Sequence, residues 1–205
     1  MTSLIFASNN PHKIQEIRAI LGSDFLVSGL EELGIKEDIP EPHHTLEENA
    51  MAKAGYIFKR CKCPCFADDT GLEVAALNGQ PGVLSARYAG PGKDSVANMN
   101  KLLELLHGVS DRRARFRTVI AFKDQLGSFL FEGIVQGEIT RQPMGDEGFG
   151  YDPVFIPHGH NQTFAQMPAS LKNMISHRQD AVQKLNVFLK DRFSAGQSFL
   201  NEHGK

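Results

Sequence analysis

Two long strand-like runs, about 114–123 and 128–139, meet at a turn containing Gly127, and this pattern predicts an antiparallel hairpin in the second half of the chain. The first half reads differently, because short apolar runs alternate there with helical spacing. Residues 4–7 (Leu-Ile-Phe-Ala) read as a buried strand. Asn10 suits a helix N-cap and Pro11 the first helical position, Ile14, Ile17 and Leu21 continue the helix, and Gly22 stops it. Residues 25–28 predict a second strand. Asp38 to His44 is a polar loop, and Thr45 with Glu48 forms a capping box that starts a helix to about Arg60.

Cys65-Phe66-Ala67 reads as the end of a strand, with Asp68-Asp69-Thr70-Gly71 just beyond it and Leu72 to Leu77 as a further strand. Gly79 to Gly92 is a long loop, Asp94 or Ser95 caps another helix, and Gly145 to Gly150 is a second glycine-rich loop. A short strand is expected at 154–156, a helical segment at 168–175 and a final helix at about 177–192. Residues 1–193 are expected to form one domain, and 194–205 a polar, flexible tail. A chain that alternates and then commits to a hairpin predicts an α/β fold: a two-lobed mixed β-sheet flanked by helices, with a central active-site cleft.

At 205 residues such a chain buries roughly 70% of its unfolded surface and needs no staples. The net charge of −2 argues against a non-specific nucleic-acid binder. No apolar run approaches the roughly 18 residues of a membrane span, and the N-terminus lacks the basic stretch of a signal peptide, so a cytoplasmic protein is expected. The three cysteines, Cys61, Cys63 and Cys65, would share a face in an extended segment. No fourth ligand stands at zinc-site spacing, so reduced thiols are expected.

Five segments carry chemistry. Ser8-Asn9-Asn10-Pro11-His12-Lys13 joins a strand to a helix N-terminus, where free backbone N–H groups suit phosphate. Lys13 in the first turn opposes the helix dipole unless an anion binds; a plain solvated lysine is the alternative. Asp68 and Asp69 are adjacent carboxylates, costly unless a cation neutralises them, and magnesium takes such ligands together with substrate phosphates. An acidic turn is the competing reading. Asn49 and Lys53, four apart, share a helix face, and Glu41 in the preceding loop is placed to add a carboxylate; a surface helix explains the spacing equally well. Gly145 to Pro153 holds Phe149 and Tyr151 among glycines, a wall for a base or buried aromatics in a connection. Ser176 and Gln179 match a capping box, which puts His177 and Arg178 in a first helical turn, in want of an anion or acceptor; Asp180 is one candidate partner.

These segments occur in order as Ser8-x-Asn10-x-x-Lys13, Glu48-Asn49-Ala50-x-x-Lys53-Ala54, Ala67-Asp68-Asp69-Thr70-Gly71-Leu72, Pro81-Gly82-x-x-Ser85-Ala86-Arg87-Tyr88, Gly148-Phe149-Gly150-Tyr151-Asp152-Pro153 and Ser176-His177-Arg178. With these six motifs the chain resembles the inosine triphosphate pyrophosphatase family, the house-cleaning XTP/dITP diphosphatases, from about Leu4 to Leu189. The resemblance implies a two-lobed homodimer that hydrolyses non-standard purine nucleoside triphosphates with Mg2+. It implies Asp69 as the base or water-orienting carboxylate and as a metal ligand, with Glu41 as a further ligand. Ser8, Asn9, Asn10, Pro11, His12, Lys13, Lys53 and Thr70 would hold the triphosphate. Phe149, Gly150, Tyr151, Asp152, Lys172, His177 and Arg178 would hold the nucleotide, with His177 and Arg178 reading the 6-keto purine edge. Thr70 stands where serine is common, and Met167 to Leu171 replaces a usually acidic stretch before Lys172. A pyrophosphatase for pyrimidine nucleotides and a non-catalytic nucleotide-binding module are the competing functions.

Overall fold

The computed structural model describes residues 2–37 and 39–202, with side chains to residue 193; Asp38 of the predicted loop and the last three positions of the predicted tail lie outside the described residues. Helix α1 (Pro11–Leu21) follows strand β1 (Thr2–Phe6) as the caps require. The Asn10 side chain accepts from the Lys13 N–H at 3.2 Å, and Gly22 ends the helix at φ 60°. Strand β2 (Phe25–Ser28) leads through the loop to α2 (Leu46–Cys61), where Thr45 accepts from the Glu48 N–H at 3.2 Å. Next come β3 (Cys65–Val74), the two-residue β4 (Pro81–Gly82), α3 (Ser95–Leu105), and the long hairpin of β5 (Arg113–Asp124) and β6 (Gly127–Ile139). Strand β7 (Phe155–Pro157), α4 (Ala169–Ile175) and α5 (His177–Glu202) complete the described chain.

The strands form one mixed sheet in the order β2-β1-β3-β5-β6-β7, with β4 also on β3. The β1 pairings with β2 and β3 are parallel, and those of β3, β5, β6 and β7 are antiparallel. Three cores hold it. Ala50, Ala54 and Ile57 of α2 pack on Ala67, Val119 and Ala121 of one sheet face. Ile17 and Leu21 of α1, with Ala181, Val182 and Leu185 of α5, pack on Phe66, Ile120 and Phe122 of the other. Beyond them Leu72, Val74 and Phe116 at the far end of the same strands pack with Phe155, Phe164 and Leu102 of α3. The first two cores make one lobe and the third makes the second lobe.

Strand β3 departs from expectation in a way that shapes the site. Asp68, Asp69 and Thr70 do not follow a strand end. They lie inside a ten-residue strand, because β5 is in register with every position from Cys65 to Val74 and bonds alternate residues along it. Leu72 to Val74 continue that strand, and Ala75–Leu77 is a 3₁₀ turn instead of strand. On its other edge β3 pairs with β1 at Phe66 and with β4 at Leu72; between these, among the described residues, positions 67–71 have no strand neighbour. The cleft opens at that gap. The cysteines do not share a face either: Cys61 ends α2 and Cys65 begins β3, where burial pushes its thiol up to about 12.

The approach of α5 to β6 depends on one residue without a side chain. A Cβ on Gly133 would stand 2.0 Å from the His177 carbonyl oxygen and 2.5 Å from the Ala181 nitrogen, both backbone atoms that can move only with the helix. Gly133→Ala should therefore destabilise the protein by about 3 kcal/mol, read as a lower urea midpoint with an unchanged m-value.

Candidate active site

The side chains of a strand alternate between faces, so the adjacent aspartates point to opposite sides of the sheet. They form two separate networks instead of one paired acidic site. Asp68 faces α1 and α5. Lys13 Nζ lies 2.9 Å from its Oδ2, Arg178 Nη2 lies 3.3 Å from the same atom, and the Thr70 hydroxyl donates at 3.3 Å. Thr70 also shares a 2.7 Å hydrogen bond with the hydroxyl of Thr118, its registered partner on β5. Asp68 is fully buried, yet Lys13, Arg178 and Lys53 hold its carboxyl well below the usual carboxylate range against that burial.

Asp69 faces α2. Asn49 Nδ2 donates to its Oδ2 at 3.2 Å, and Lys53 Nζ to its Oδ1 at 3.4 Å. The predicted shared face of Asn49 and Lys53 is thus the face that meets the strand. Lys53 also reaches Glu41 Oε1 at 2.6 Å, so one ammonium lies between two carboxylates. Burial pushes the Asp69 carboxyl up, and Glu41 and Asp68 add to this against the pull of Lys53 and Lys13. Glu41 goes the other way: Lys53, with Lys13 and Arg87, holds it below its ordinary value despite its burial. Among the described residues, no group of three or more His, Cys, Asp or Glu side chains is placed to hold a metal by itself. A pair of carboxylates fits magnesium when phosphate oxygens and waters supply the remaining ligands.

The third network lies under the glycine-rich loop. Lys172 donates to Glu16 and to Asp152, each at 2.8 Å, and Asp152 accepts from the Phe149 N–H at 2.8 Å. Arg178 pairs with Glu16 as well as Asp68, so its anionic partners come from α1 and β3; Asp180 instead pairs with Lys184. Phe149 has Lys172 Nζ 4.7 Å from its ring centre and the His12 ring stacked at 5.3 Å. His177 stacks on Phe116 at 4.7 Å, and its Nδ1 has no hydrogen-bond partner. Burial, Arg178 and Lys172 push the imidazole well below 6.5, so it is neutral at pH 7.

One cavity of about 250 Å³ joins these networks. Asn10, Lys13, Glu41, Asp69 and Thr70 line one side; Phe149, Gly150, Tyr151, Asp152, Lys172, His177 and Arg178 line the other. Lys53 stands directly behind Asp69 and Glu41. Ser8 supports the turn by accepting from the Asn10 N–H at 3.2 Å, whereas Asn9 and Pro11 border a different groove with Arg18 and Glu32. Sequence reasoning passed over Glu16, Thr118 and Phe116, and gave Arg87 no role beyond its place in a motif. Thr118, a polar residue interrupting an apolar strand, offered a signal; Glu16 lies off the Ile14, Ile17 and Leu21 face and offered none.

A curled mixed sheet with cations, carboxylates and an aromatic loop converging on one cleft defines an α/β protein with a charged central cleft. The chain belongs to the Ham1 family, whose profile matches residues 4–188. It is 55% identical over 190 residues to a dITP/XTP pyrophosphatase of Porphyromonas gingivalis, covering 92% of this chain and 98% of that protein. Its identity to a dITP/XTP pyrophosphatase of Bacillus subtilis is 43% over 196 residues, covering 93% and 98%. The solved structure of the Staphylococcus aureus Ham1 protein superposes with a TM-score of 0.85 at 42% identity, over 93% of this chain and all of that one.

Asp68 compensates two buried cations, so Asp68→Asn should cost about 3–5 kcal/mol at pH 7. A carboxyl held below its unfolded value of about 3.9 stabilises above that pH and loses the contribution as pH falls through its folded value. The gap between the urea stabilities of wild type and variant should therefore be equal at pH 7 and pH 5.5, and smaller at pH 3.

Proposed function

We propose that the protein hydrolyses non-standard purine nucleoside triphosphates (ITP, dITP and XTP) to the monophosphate and pyrophosphate, with Mg2+ as cofactor. The observation that carries this reading is the single cavity shared by Lys13, the Glu41 and Asp69 carboxylates, and the Phe149 to Asp152 loop with Lys172, His177 and Arg178. The names of the relatives point the same way.

Residues 1–193 form the working unit of this proposal, as a cytoplasmic homodimer. Among the described residues no helix is long and apolar enough to cross a membrane.

The α1 N-terminus, with Asn10 and Lys13 held by the Ser8 to His12 turn, binds the phosphates, Thr70 adds a donor, and Lys53 adds positive charge from behind the carboxylates. Glu41 and Asp69 would hold the magnesium, which when bound offsets phosphate charge and lowers the pKa of a coordinated water. Asp69 orients the attacking water and takes its proton on a carboxylate oxygen. The new bond forms between the water oxygen and the α-phosphorus, the bridging α–β P–O bond breaks, and pyrophosphate leaves with that oxygen. Lys13 and Lys53 stabilise the charge it carries away.

The base lies against the Phe149 loop. Lys172 and Arg178 are committed to carboxylates, which fixes where their remaining N–H donors point. Donors so fixed pair with a 6-keto oxygen and are left unpaired against a 6-amino group, which is the costly case.

Asp69→Asn should lower the rate of pyrophosphate release from ITP by about 10²–10⁴-fold with little change in KM. Chelation of Mg2+ should abolish release, and added Mg2+ should restore it. In a substrate panel ITP and XTP should exceed ATP by at least about 100-fold in kcat/KM. Equal turnover of ITP, ATP and UTP would remove the purine-selective reading, and full turnover in chelator would remove the metal.

A further inference from the structure

We propose that Arg87 is a positioning residue that fixes the metal-facing carboxylate of Glu41; the inference rests on the magnesium reading above. Glu41 belongs to the loop before α2, in a stretch with no regular secondary structure, and its own backbone does not determine where its carboxylate points. Arg87 comes from the opposite lobe. Its Nη1 donates to Glu41 Oε2 at 3.2 Å and its Nη2 to the Glu41 main-chain carbonyl at 3.0 Å. One planar guanidinium thus holds both the side chain and the backbone of the same residue, leaving Oε1 on the side of Lys53 and Asp69.

The direction of control follows from which partner is better anchored. Arg87 ends a 3₁₀ turn, Ser85–Arg87, that is pinned from three sides. The Ser85 hydroxyl donates to the Gly82 carbonyl at 2.6 Å and accepts from the Leu72 N–H at 2.9 Å, tying the turn to β3. Asn98 of α3 brackets it, donating to the Ala86 carbonyl at 2.9 Å and accepting from the Ala89 N–H at 2.6 Å. The Tyr151 hydroxyl donates to the Ser85 carbonyl at 3.0 Å. A rigid turn therefore presents the guanidinium, and the Glu41 loop docks on it.

A cation beside a metal ligand has a second effect of opposite sign, since its charge repels the metal. At a side chain 28% exposed this repulsion is screened by water, whereas among the described residues no other group holds the Glu41 carboxylate and its carbonyl together. Two variants separate the effects. Arg87→Lys keeps the charge and loses the planar two-point hold, and Arg87→Met loses both.

The test is Mn2+ binding to the full-length chain in the presence of IMP, whose phosphate completes the ligand set, followed by the disappearance of the free-ion electron paramagnetic resonance signal against a protein-free IMP control, with Glu41→Gln as the reference variant. Groups that hold a metal ligand in place typically contribute about 10–100-fold to affinity, so both Arg87 variants should bind Mn2+ at least about 10-fold more weakly than wild type. Thermal unfolding checks that each variant is folded, and Arg87→Lys, the milder change, carries the test if Arg87→Met does not fold. Normal affinity in Arg87→Lys, or tighter binding in Arg87→Met, overturns the positioning role while leaving the metal reading intact, provided that Glu41→Gln has lost binding. If wild type and Glu41→Gln bind equally, or neither binds, the metal reading fails and the inference falls with it. Weakened ITP binding with unchanged Mn2+ affinity would put Arg87 on the substrate instead and would also overturn the proposal.

Discussion

Asp68 is 2% exposed, and three separate elements come to its carboxylate: Lys13 from α1, Arg178 from α5 and Thr70 two places along its own strand. A buried charge is tolerable only when it is paired and hydrogen-bonded. Here the requirement is mutual, because Arg178 is 1% exposed and needs anionic partners in turn. The ion cluster therefore specifies how the first helix and the last one sit over the sheet. Glu16 extends it from Arg178 to Lys172, and Asp152 carries it to the glycine-rich loop. Residues from α1, β3, α4 and α5 are thus located by one chain of charges.

Asp69, one residue away, is the complement of this arrangement. The pleat turns it to the other face, where Asn49 and Lys53 hold it from α2. Asp68 is ionised, saturated and structural in character. Asp69 has fewer partners, a raised pKa and a place in the cavity wall. Two neighbouring residues of one type acquire different chemistry because they meet different helices. The division of labour proposed for the site follows that geometry: one carboxylate organises the cations and the other is left to meet the reacting atoms.

Much of this was legible before any coordinates. Asn10, Thr45 and Ser176 cap helices where their side chains predict, and Asn49 and Lys53 share the face their spacing predicts. The hairpin of β5 and β6 follows from its apolar runs and Gly127. The boundaries of β3 did not. Asp68-Asp69-Thr70-Gly71 has low strand preference, and a local reading ends the strand before it. Continuous registered pairing with β5, hydrogen-bonded at alternate positions, outweighs the preference. Glu16 was unremarked and Arg87 had no assigned role for a related reason: each acts through a partner distant in sequence, Arg178 in one case and Glu41 in the other.

The amino-acid sequence by itself determined the elements with local causes, that is, caps, turns, periodicity and the ordered motifs that mark a Ham1 family member. Those causes act within a few residues, through backbone geometry and side chains three or four apart. Only the tertiary structure decided that Asp68 and Asp69 serve opposite faces, that the edge of β3 lies open between β1 and β4, and that Arg87 grips Glu41 across the cleft. Each depends on which strand pairs with which and on burial that strengthens charge–charge contacts, and neither quantity exists until the chain has closed on itself.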